Sequence, residues 1–265
     1  MKKLKKMIFL GTGEAMAYKA FNTSICFVDE CDECFLIDAG GGNGIFYHLE
    51  KSDIDIKQIK NIFITHNHTD HILGFLWIIR KFASIKDEFV CDFYVPDSVH
   101  KDLMQLCNIT ISKGQLKKAF EHINFHIVNN MESFCLGDVN IIFFDTLYEK
   151  TTQFGCKIET GELKIGICGD VPLLKENFKV MESVDILVHE ALCDSKDSEK
   201  HKVYKKSHST AKDAGRIACE ISAKKLFLIH KADDYINKDS LYMDAITEFS
   251  GKVFVPEDGD VFNLK

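Results

Sequence analysis

A single hexapeptide, His66-Asn67-His68-Thr69-Asp70-His71, constrains this chain more strongly than any other stretch of its sequence. It follows residues 61–65, a short, apolar and β-branched run that predicts a buried strand. It precedes residues 72–79, whose apolar spacing predicts a helix. The three imidazoles and the carboxylate are therefore expected on a strand-to-helix turn, where side chains converge at the end of a sheet.

The hexapeptide has the chemistry of a metal site. An extended or turning backbone projects His66 and His68 to one side, whereas Asp70 and His71 fall past the bend and can serve an adjacent site. Imidazole with carboxylate suits zinc, manganese or iron, and two metal ions close together can activate a water between them. We therefore predict two divalent metal ions as cofactors, with zinc as the first candidate and manganese or iron as alternatives.

The composition is that of an ordinary globular chain, since 46% of the 265 residues are hydrophobic and 28% are charged. No linker, repeat or low-complexity tract is visible, and this predicts a single domain over residues 1–265. The formal net charge of −7 argues against a generally basic nucleic-acid-binding surface. No stretch approaches transmembrane length, so we expect no membrane partner.

Cysteine usage bears on the cellular compartment. Ten cysteines are scattered through apolar segments, and the apolar run at residues 7–10 is too short for a signal peptide. The simplest interpretation is a cytoplasmic protein whose cysteines are buried free thiols.

Metal-capable side chains repeatedly come directly after predicted strands: His66, Asp170, His189 and His230. This is the pattern of a site built at one edge of a stacked sheet assembly. One metal site could then be formed by Asp70, His71, Asp170 and His230. His66 and His68 could form the other and share Asp170.

A second constellation suits proton transfer. His208 lies at the start of a helix predicted over residues 211–223, and Glu190 follows a strand predicted over residues 186–188. In such a pair, Glu190 would fix the tautomer of His208 and help it to protonate a leaving oxygen.

The pattern His66-x-His68-x-Asp70-His71 resembles the metal motif of the metallo-β-lactamase superfamily. Further stretches resemble ribonuclease Z, namely residues 9–13, 22–24, 189–191, 208–211 and 226–230. The resemblance implies an αββα sandwich, in the α/β class, and a metal-dependent hydrolase, most directly a phosphodiesterase. It also implies that Asp70, or a hydroxide held by the metals, acts as base and nucleophile, with His208 and Glu190 as the acid.

The chain departs from the family pattern at one metal ligand. The family has a histidine before a Phe-Gly or similar pair, but no histidine lies between His126 and His189 here. Spacing from Gly155 puts Glu149 in the ligand's place. Two alternatives stay open: Glu149 is a substitute ligand that favours manganese or iron, or one metal is weakly held or absent.

A second departure concerns the substrate. The segment between Glu149 and Asp170 has room for little more than a hairpin, whereas ribonuclease Z carries a tRNA-binding arm there. We therefore expect a small phosphodiester or an RNA end as substrate, and homodimerisation is left open. Two rival hypotheses keep the fold: a hydrolase of another ester (a lactone, thioester or sulfate ester), or a non-catalytic binding protein with an incomplete metal site.

Overall fold

Two seven-stranded mixed sheets pack face to face in the computed structural model, which describes residues 1–235 and 238–264. The strands are β1 Leu4–Gly11, β2 Ser24–Asp29, β3 Cys34–Ile37, β4 Ile59–Phe63, β5 Cys91–Pro96, β6 Ile123–Val128, β7 Ser133–Leu136, β8 Val139–Asp145, β9 Phe154–Glu159, β10 Lys164–Ile167, β11 Ile186–Glu190, β12 Lys225–Ile229, β13 Lys252–Phe254 and β14 Val261–Asn263. The helices are α1 Gly44–Lys51, α2 Thr69–Phe82, α3 Asp97–Thr110, α4 Lys113–Phe120, α5 Phe178–Met181, α6 Ser198–His201, α7 Ala211–Glu220 and α8 Asp239–Ala245.

Each sheet is antiparallel on one side and parallel on the other. The first has the order β14-β1-β2-β3-β4-β5-β6, with parallel pairing from β3 to β6. The second has the order β13-β12-β11-β10-β9-β8-β7, with parallel pairing from β10 to β13. Because parallel strands end at the same edge, the loops after β3, β4, β10, β11 and β12 gather there.

Strand alternation separates three apolar layers. In β1, Phe9 faces the opposite sheet, whereas Ile8 faces the helices. The rings of Phe9 and Phe227 stack across the two sheets with centroids 5.6 Å apart. Outside the sheets, α1–α4 cover the first sheet and α5, α7 and α8 cover the second. Each fully buried phenylalanine contributes roughly 1.5–3 kcal/mol of burial free energy, so these layers stabilise the two sheets whose edge carries the candidate site.

The αββα sandwich expected from the resemblance is confirmed. The helix predicted over residues 211–223 ends earlier, at Glu220, but begins as expected behind Thr210, whose side chain forms a capping box with Asp213. The segment between Glu149 and Asp170 forms the antiparallel β9–β10 hairpin.

Two further predictions concern cysteines and membranes. All ten cysteines are free thiols, and most are buried. Within residues 1–235 and 238–264, none of the helices has both the length and the apolar character needed to cross a membrane.

Candidate metal centre

Strand ends bring the candidate ligands together. His66 follows β4 in the first sheet, while Asp170 follows β10 and His230 follows β12 in the second. The two sheets are tied at this edge, since the backbone N–H of Phe154 donates to the carbonyl of Thr65 at 3.0 Å. The prediction that these side chains meet at one edge therefore agrees with the placement in the structure.

Helix α2 positions the remaining members of the hexapeptide. Its N-cap is His68, in an extended conformation, so Asp70 and His71 lie in the first helical turn. A carboxylate there is favoured by the positive end of the helix dipole. The helix packs tightly on the preceding turn, because an added Cβ at Gly74 would lie 1.9 Å from the carbonyl oxygen of Ala39.

Four buried side chains form the centre: Asp70, His71, Asp170 and His230. One ligand atom from each lies within 4.8 Å of the others. Asp170 Oδ2 is the common neighbour, at 2.6 Å from His71 Nε2 and 3.0 Å from His230 Nε2. The same oxygen lies 3.6 Å from His66 Nε2, which suits a carboxylate shared between two cations.

The polar atoms of this group are better satisfied by a bound metal ion than by hydrogen bonds to one another. His66 Nε2 and Asp170 Oδ1 are buried without a hydrogen-bond partner within the described residues. Unpaired buried polar atoms cost about 1–3 kcal/mol each unless they are satisfied. Imidazole nitrogens and carboxylate oxygens that converge in this way are the donor set for zinc, manganese or iron.

Without a metal ion, the pKa values of the histidines and carboxylates in this group show that the site favours positive charge. Burial lowers the pKa of His230, but Asp170 and then Asp70 outweigh it and raise that pKa to about 10. Burial also lowers the pKa of His71, but nearby carboxylates, above all Asp170, raise this pKa well above its ordinary value. Burial raises the pKa of Asp170, yet His230 and His71 hold it well below its usual range. Positive charge is therefore strongly favoured at this point.

Asp38, a residue that the sequence interpretation missed, orients both neighbouring imidazoles. It follows β3, is buried, and adopts a positive φ of 54°. Its Oδ2 lies 2.7 Å from His71 Nδ1 and accepts a hydrogen bond from Thr65 Oγ1 at 2.7 Å. Thr65 Oγ1 in turn lies 2.9 Å from His66 Nδ1. With their Nδ1 atoms occupied, His71 and His66 present Nε2 to the metal centre.

The small cavity next to this group, the metal cavity, has a volume of about 60 Å³, and the other residues that line it include His68, Tyr148 and Gln153. His68 is exposed and its ring lies 4.6 Å from that of His66. Tyr148 lies edge-on to His68, with ring centroids 6.4 Å apart. Gln153 is buried, and its amide nitrogen is 3.2 Å from His66 Nδ1. Gln153 was also missed, although it directly precedes the Phe-Gly pair used to locate the absent histidine.

The structure does not bring Glu149 to the ligand group. Its side chain is exposed and lines a second cavity with Leu147 and Lys150. The backbone is left-handed two residues before it, at Leu147, which has a positive φ of 62°. Tyr148 and Gln153 therefore lie on the metal cavity where spacing alone had put a carboxylate.

His208 lies on the wall of the metal cavity, as the sequence predicted. Its Nδ1 lies 2.9 Å from the backbone carbonyl of Asp170 and 3.3 Å from Glu190 Oε2. Glu190 is fully buried, and its other oxygen accepts a hydrogen bond from the backbone N–H of Ser209. His189 is not part of the site: its Nε2 accepts from the backbone of Leu173, and it is a satisfied core histidine.

Fold and site define the class of this protein: it is a metallo-β-lactamase-fold, metal-dependent hydrolase of the phosphodiesterase type, similar to ribonuclease Z. Its curated relatives include ribonuclease Z from Lactococcus lactis subsp. cremoris (strain SK11), which is 27% identical over 277 residues, covering 86% of this chain and 89% of that protein.

The chain belongs to the family described as anti-Pycsar protein Apyc1, whose family model matches residues 5–241. Among solved structures, the metallo-β-lactamase fold protein YhfI from Bacillus subtilis superposes with a TM-score of 0.78 at 22% identity, over 97% of this chain and 99% of that one. Human tRNase Z, short form, superposes with a TM-score of 0.77 at 23% identity, over 98% and 99% of the two chains.

Proposed function

We propose that this protein hydrolyses small phosphodiesters with the help of two divalent cations. One cation would be held by Asp70, His71, Asp170 and His230, and the other by His66, His68 and the shared Asp170. The observation that carries the proposal is that His208 lies on the same small cavity as both ligand groups. A site of this kind has a phosphate-binding centre and a proton donor on one wall.

When bound, the cations would supply Lewis acidity for activating water and for neutralising charge on the phosphate oxygens. His208 would supply the proton for the leaving oxygen. Its Nδ1 is engaged by the carbonyl of Asp170, which leaves Nε2 available to the cavity. The buried carboxylate of Glu190, 3.3 Å away, would hold the imidazole of His208 in this orientation.

A small substrate is favoured over tRNA by the chain between Gln153 and Asp170. That segment is occupied by the β9–β10 hairpin, whose strands pair over four residue pairs from Lys164–Glu159 to Ile167–Cys156. The net charge of −7 also offers no broad attraction for a long polyanion. A cytoplasmic location remains part of the proposal, because free thiols persist in a reducing compartment.

The test begins with protein purified without chelators, its metal content measured, and its turnover of bis(p-nitrophenyl) phosphate followed. We expect hydrolysis that a chelator abolishes and that zinc or manganese restores. His71→Ala should lose both metal and activity. His126→Ala is the matched control, because that half-exposed histidine pairs with Asp92 away from the site.

Rival functions give different outcomes. Turnover of a lactone, thioester or sulfate ester, with none for any phosphodiester, would contradict the proposal but keep the metal centre. Stoichiometric metal without turnover of any ester class would favour a binding protein. Cleavage of a tRNA precursor at rates above those of small diesters would contradict the small-substrate part alone.

A further inference from the structure

A glutamate lines the metal cavity without pairing with any other residue that the structure describes. Glu14 lies on this cavity together with Asp70, Asp170, His208 and His230. It is partly buried, and within the described part of the chain its hydrogen bonds are made by its backbone. A carboxylate at the edge of a phosphate-binding centre repels the anion that binds there, so its presence calls for a physical reason.

The backbone of Glu14 is fixed next to the candidate ligand His230. The N–H of Glu14 donates to the carbonyl of Lys231 at 3.2 Å, and the N–H of Lys231 donates to the carbonyl of Thr12 at 3.1 Å. Lys231 directly follows His230 in the sequence. The carbonyl of Glu14 accepts a hydrogen bond from Asn22 Nδ2 at 2.7 Å. Glu14 is therefore held beside the metal centre through both of its peptide groups.

The loop that carries Glu14, residues 13–22 between β1 and β2, is also anchored from outside. Asp258, which lies between β13 and β14, accepts a hydrogen bond from the N–H of Phe21 at 2.5 Å. Asp233, which follows β12, accepts one from the N–H of Tyr18 at 2.9 Å. A loop anchored in this way keeps its residues in place before a ligand binds. The charge of Glu14 thus has a fixed position at the cavity.

The substrate and the product of phosphodiester hydrolysis differ in charge. The reaction consumes one water, breaks one P–O ester bond, and yields an alcohol and a phosphomonoester. The diester carries one negative charge. The monoester ionises a second time with a pKa of about 6, so at pH 8 it carries two negative charges and its proton has passed to the solvent. A fixed negative charge at the cavity therefore opposes binding of the product more strongly than binding of the substrate.

The size of the metal cavity makes this difference measurable. Its volume is about 60 Å³, so a phosphate group bound there lies close to every wall. For unit charges about 7 Å apart in a partly exposed site, Coulomb repulsion weakens binding by roughly three- to tenfold per charge. The repulsion acts once on a monoanion and twice on a dianion. The ratio of the two affinities therefore changes by about the same three- to tenfold.

We propose that Glu14 is a specificity-determining residue that favours the phosphodiester monoanion over the phosphomonoester dianion and so limits inhibition by the product. The proposal rests on the proposed function, since the phosphate group must lie at the metal centre. Glu14 acts by its charge and is neither a metal ligand nor a proton donor. Because its hydrogen bonds within the described residues are made by its backbone, Glu14→Gln removes the charge and keeps these contacts.

The test measures binding of dimethyl phosphate and methyl phosphate to the metal-loaded protein by calorimetry at pH 8. Glu14→Gln should tighten binding of methyl phosphate by about three- to tenfold more than binding of dimethyl phosphate. Glu14→Asp keeps the charge and should keep most of the selectivity. Glu88→Gln, at an exposed glutamate before β5, is the matched control and should change neither affinity. The effect of Glu14→Gln should shrink as the ionic strength rises from about 0.01 to 1 M, because salt screens charge repulsion but not a steric contact.

Turnover gives a second measurement. In Glu14→Gln, the inhibition constant of methyl phosphate should fall by a larger factor than KM for bis(p-nitrophenyl) phosphate. Equal changes for the two ligands, or weaker binding of both, would overturn the role of Glu14 and leave the proposed function intact. Loss of metal from Glu14→Gln would assign Glu14 to the ligand set and overturn the same role. Failure of the metal-loaded protein to bind either phosphate would overturn the proposed function as well.

Discussion

Replacement of Asp38 by asparagine should weaken metal binding although Asp38 is not a predicted ligand. Asp38 accepts hydrogen bonds from the N–H of Thr65 at 2.9 Å and from its hydroxyl at 2.7 Å, and its Oδ2 lies 2.7 Å from His71 Nδ1. Asparagine has nearly the same shape and tolerates the positive φ of 54°. The substitution therefore changes charge and hydrogen-bonding sense while keeping the packing.

Neither orientation of the asparagine amide can reproduce these three contacts. If its nitrogen replaces Oδ1, it faces the N–H of Thr65, and two donors oppose each other. If its nitrogen replaces Oδ2, it faces His71 Nδ1, and that imidazole is driven to carry its proton on Nε2, the nitrogen aimed at the metal centre. A hydrogen bond to a charged group contributes about 1.5–3 kcal/mol, which corresponds to roughly a 10- to 100-fold loss of metal affinity.

The assay is a competition titration of zinc and of manganese against a chelator of known affinity, with the melting temperature of the metal-free protein measured in parallel. Asp53→Asn is the control, because Asp53 also has a φ of 54° but lies exposed after α1. A metal affinity of Asp38→Asn within twofold of the unsubstituted protein, with an intact fold, would refute the argument that Asp38 fixes the tautomer of His71.

Metal loading should release protons from His71 and His230, because the pKa of each is raised in the metal-free centre, to about 10 for His230. Calorimetry near pH 8 in buffers of different ionisation enthalpy measures the number of protons released. Metal binding without proton release would contradict the prediction. A raised pKa stabilises the folded state most fully below the unfolded value of about 6.5, so the metal-free protein should lose stability as the pH rises from there through about 10, whereas the loaded protein should not. His208→Ala should lower turnover about 10²–10⁴-fold for a diester with an alkoxide leaving group but much less for p-nitrophenolate, which needs no proton, and equal effects on both would remove the acid role. Gly74→Ala should lower the free energy of unfolding, measured in urea, by about 1–3 kcal/mol, because its Cβ would clash with the backbone. The control Gly114→Ala, in open space on α4, should raise that free energy by up to about 1 kcal/mol. An unchanged stability in Gly74→Ala would show that α2 can move away from the site.

An element was predictable from the sequence where its burial leaves a clear pattern of apolar residues. The run before His66 is apolar because β4 is covered on both sides, by helices and by the second sheet. Helices α3 and α4 were not anticipated, since they form an outer layer with few buried positions. Their signal was present: Val99, Leu103 and Cys107 are buried at a spacing of four residues along α3.

The clustering of the candidate ligands was predictable because strand ends carry them, whereas the position of Asp38 was not. In the sequence, Asp38 opens a glycine-rich stretch and has the composition of a turn. Its position beside His71 depends on the pairing of β3 with β4, in which Ile37 lies next to Phe63. Such a register is set by tertiary packing and cannot be read from local composition.

Glu149 shows the limit of arguments from spacing. Counting back from Gly155 assumes that the backbone follows the same path as in the family pattern. Here Leu147 adopts a left-handed conformation that its side-chain type disfavours, and Glu149 lines the second cavity. Tyr148 and Gln153 lie beside His68 and His66 instead, and neither brings a charge. The His66–His68 half of the candidate centre therefore has less negative charge than the half that contains Asp70.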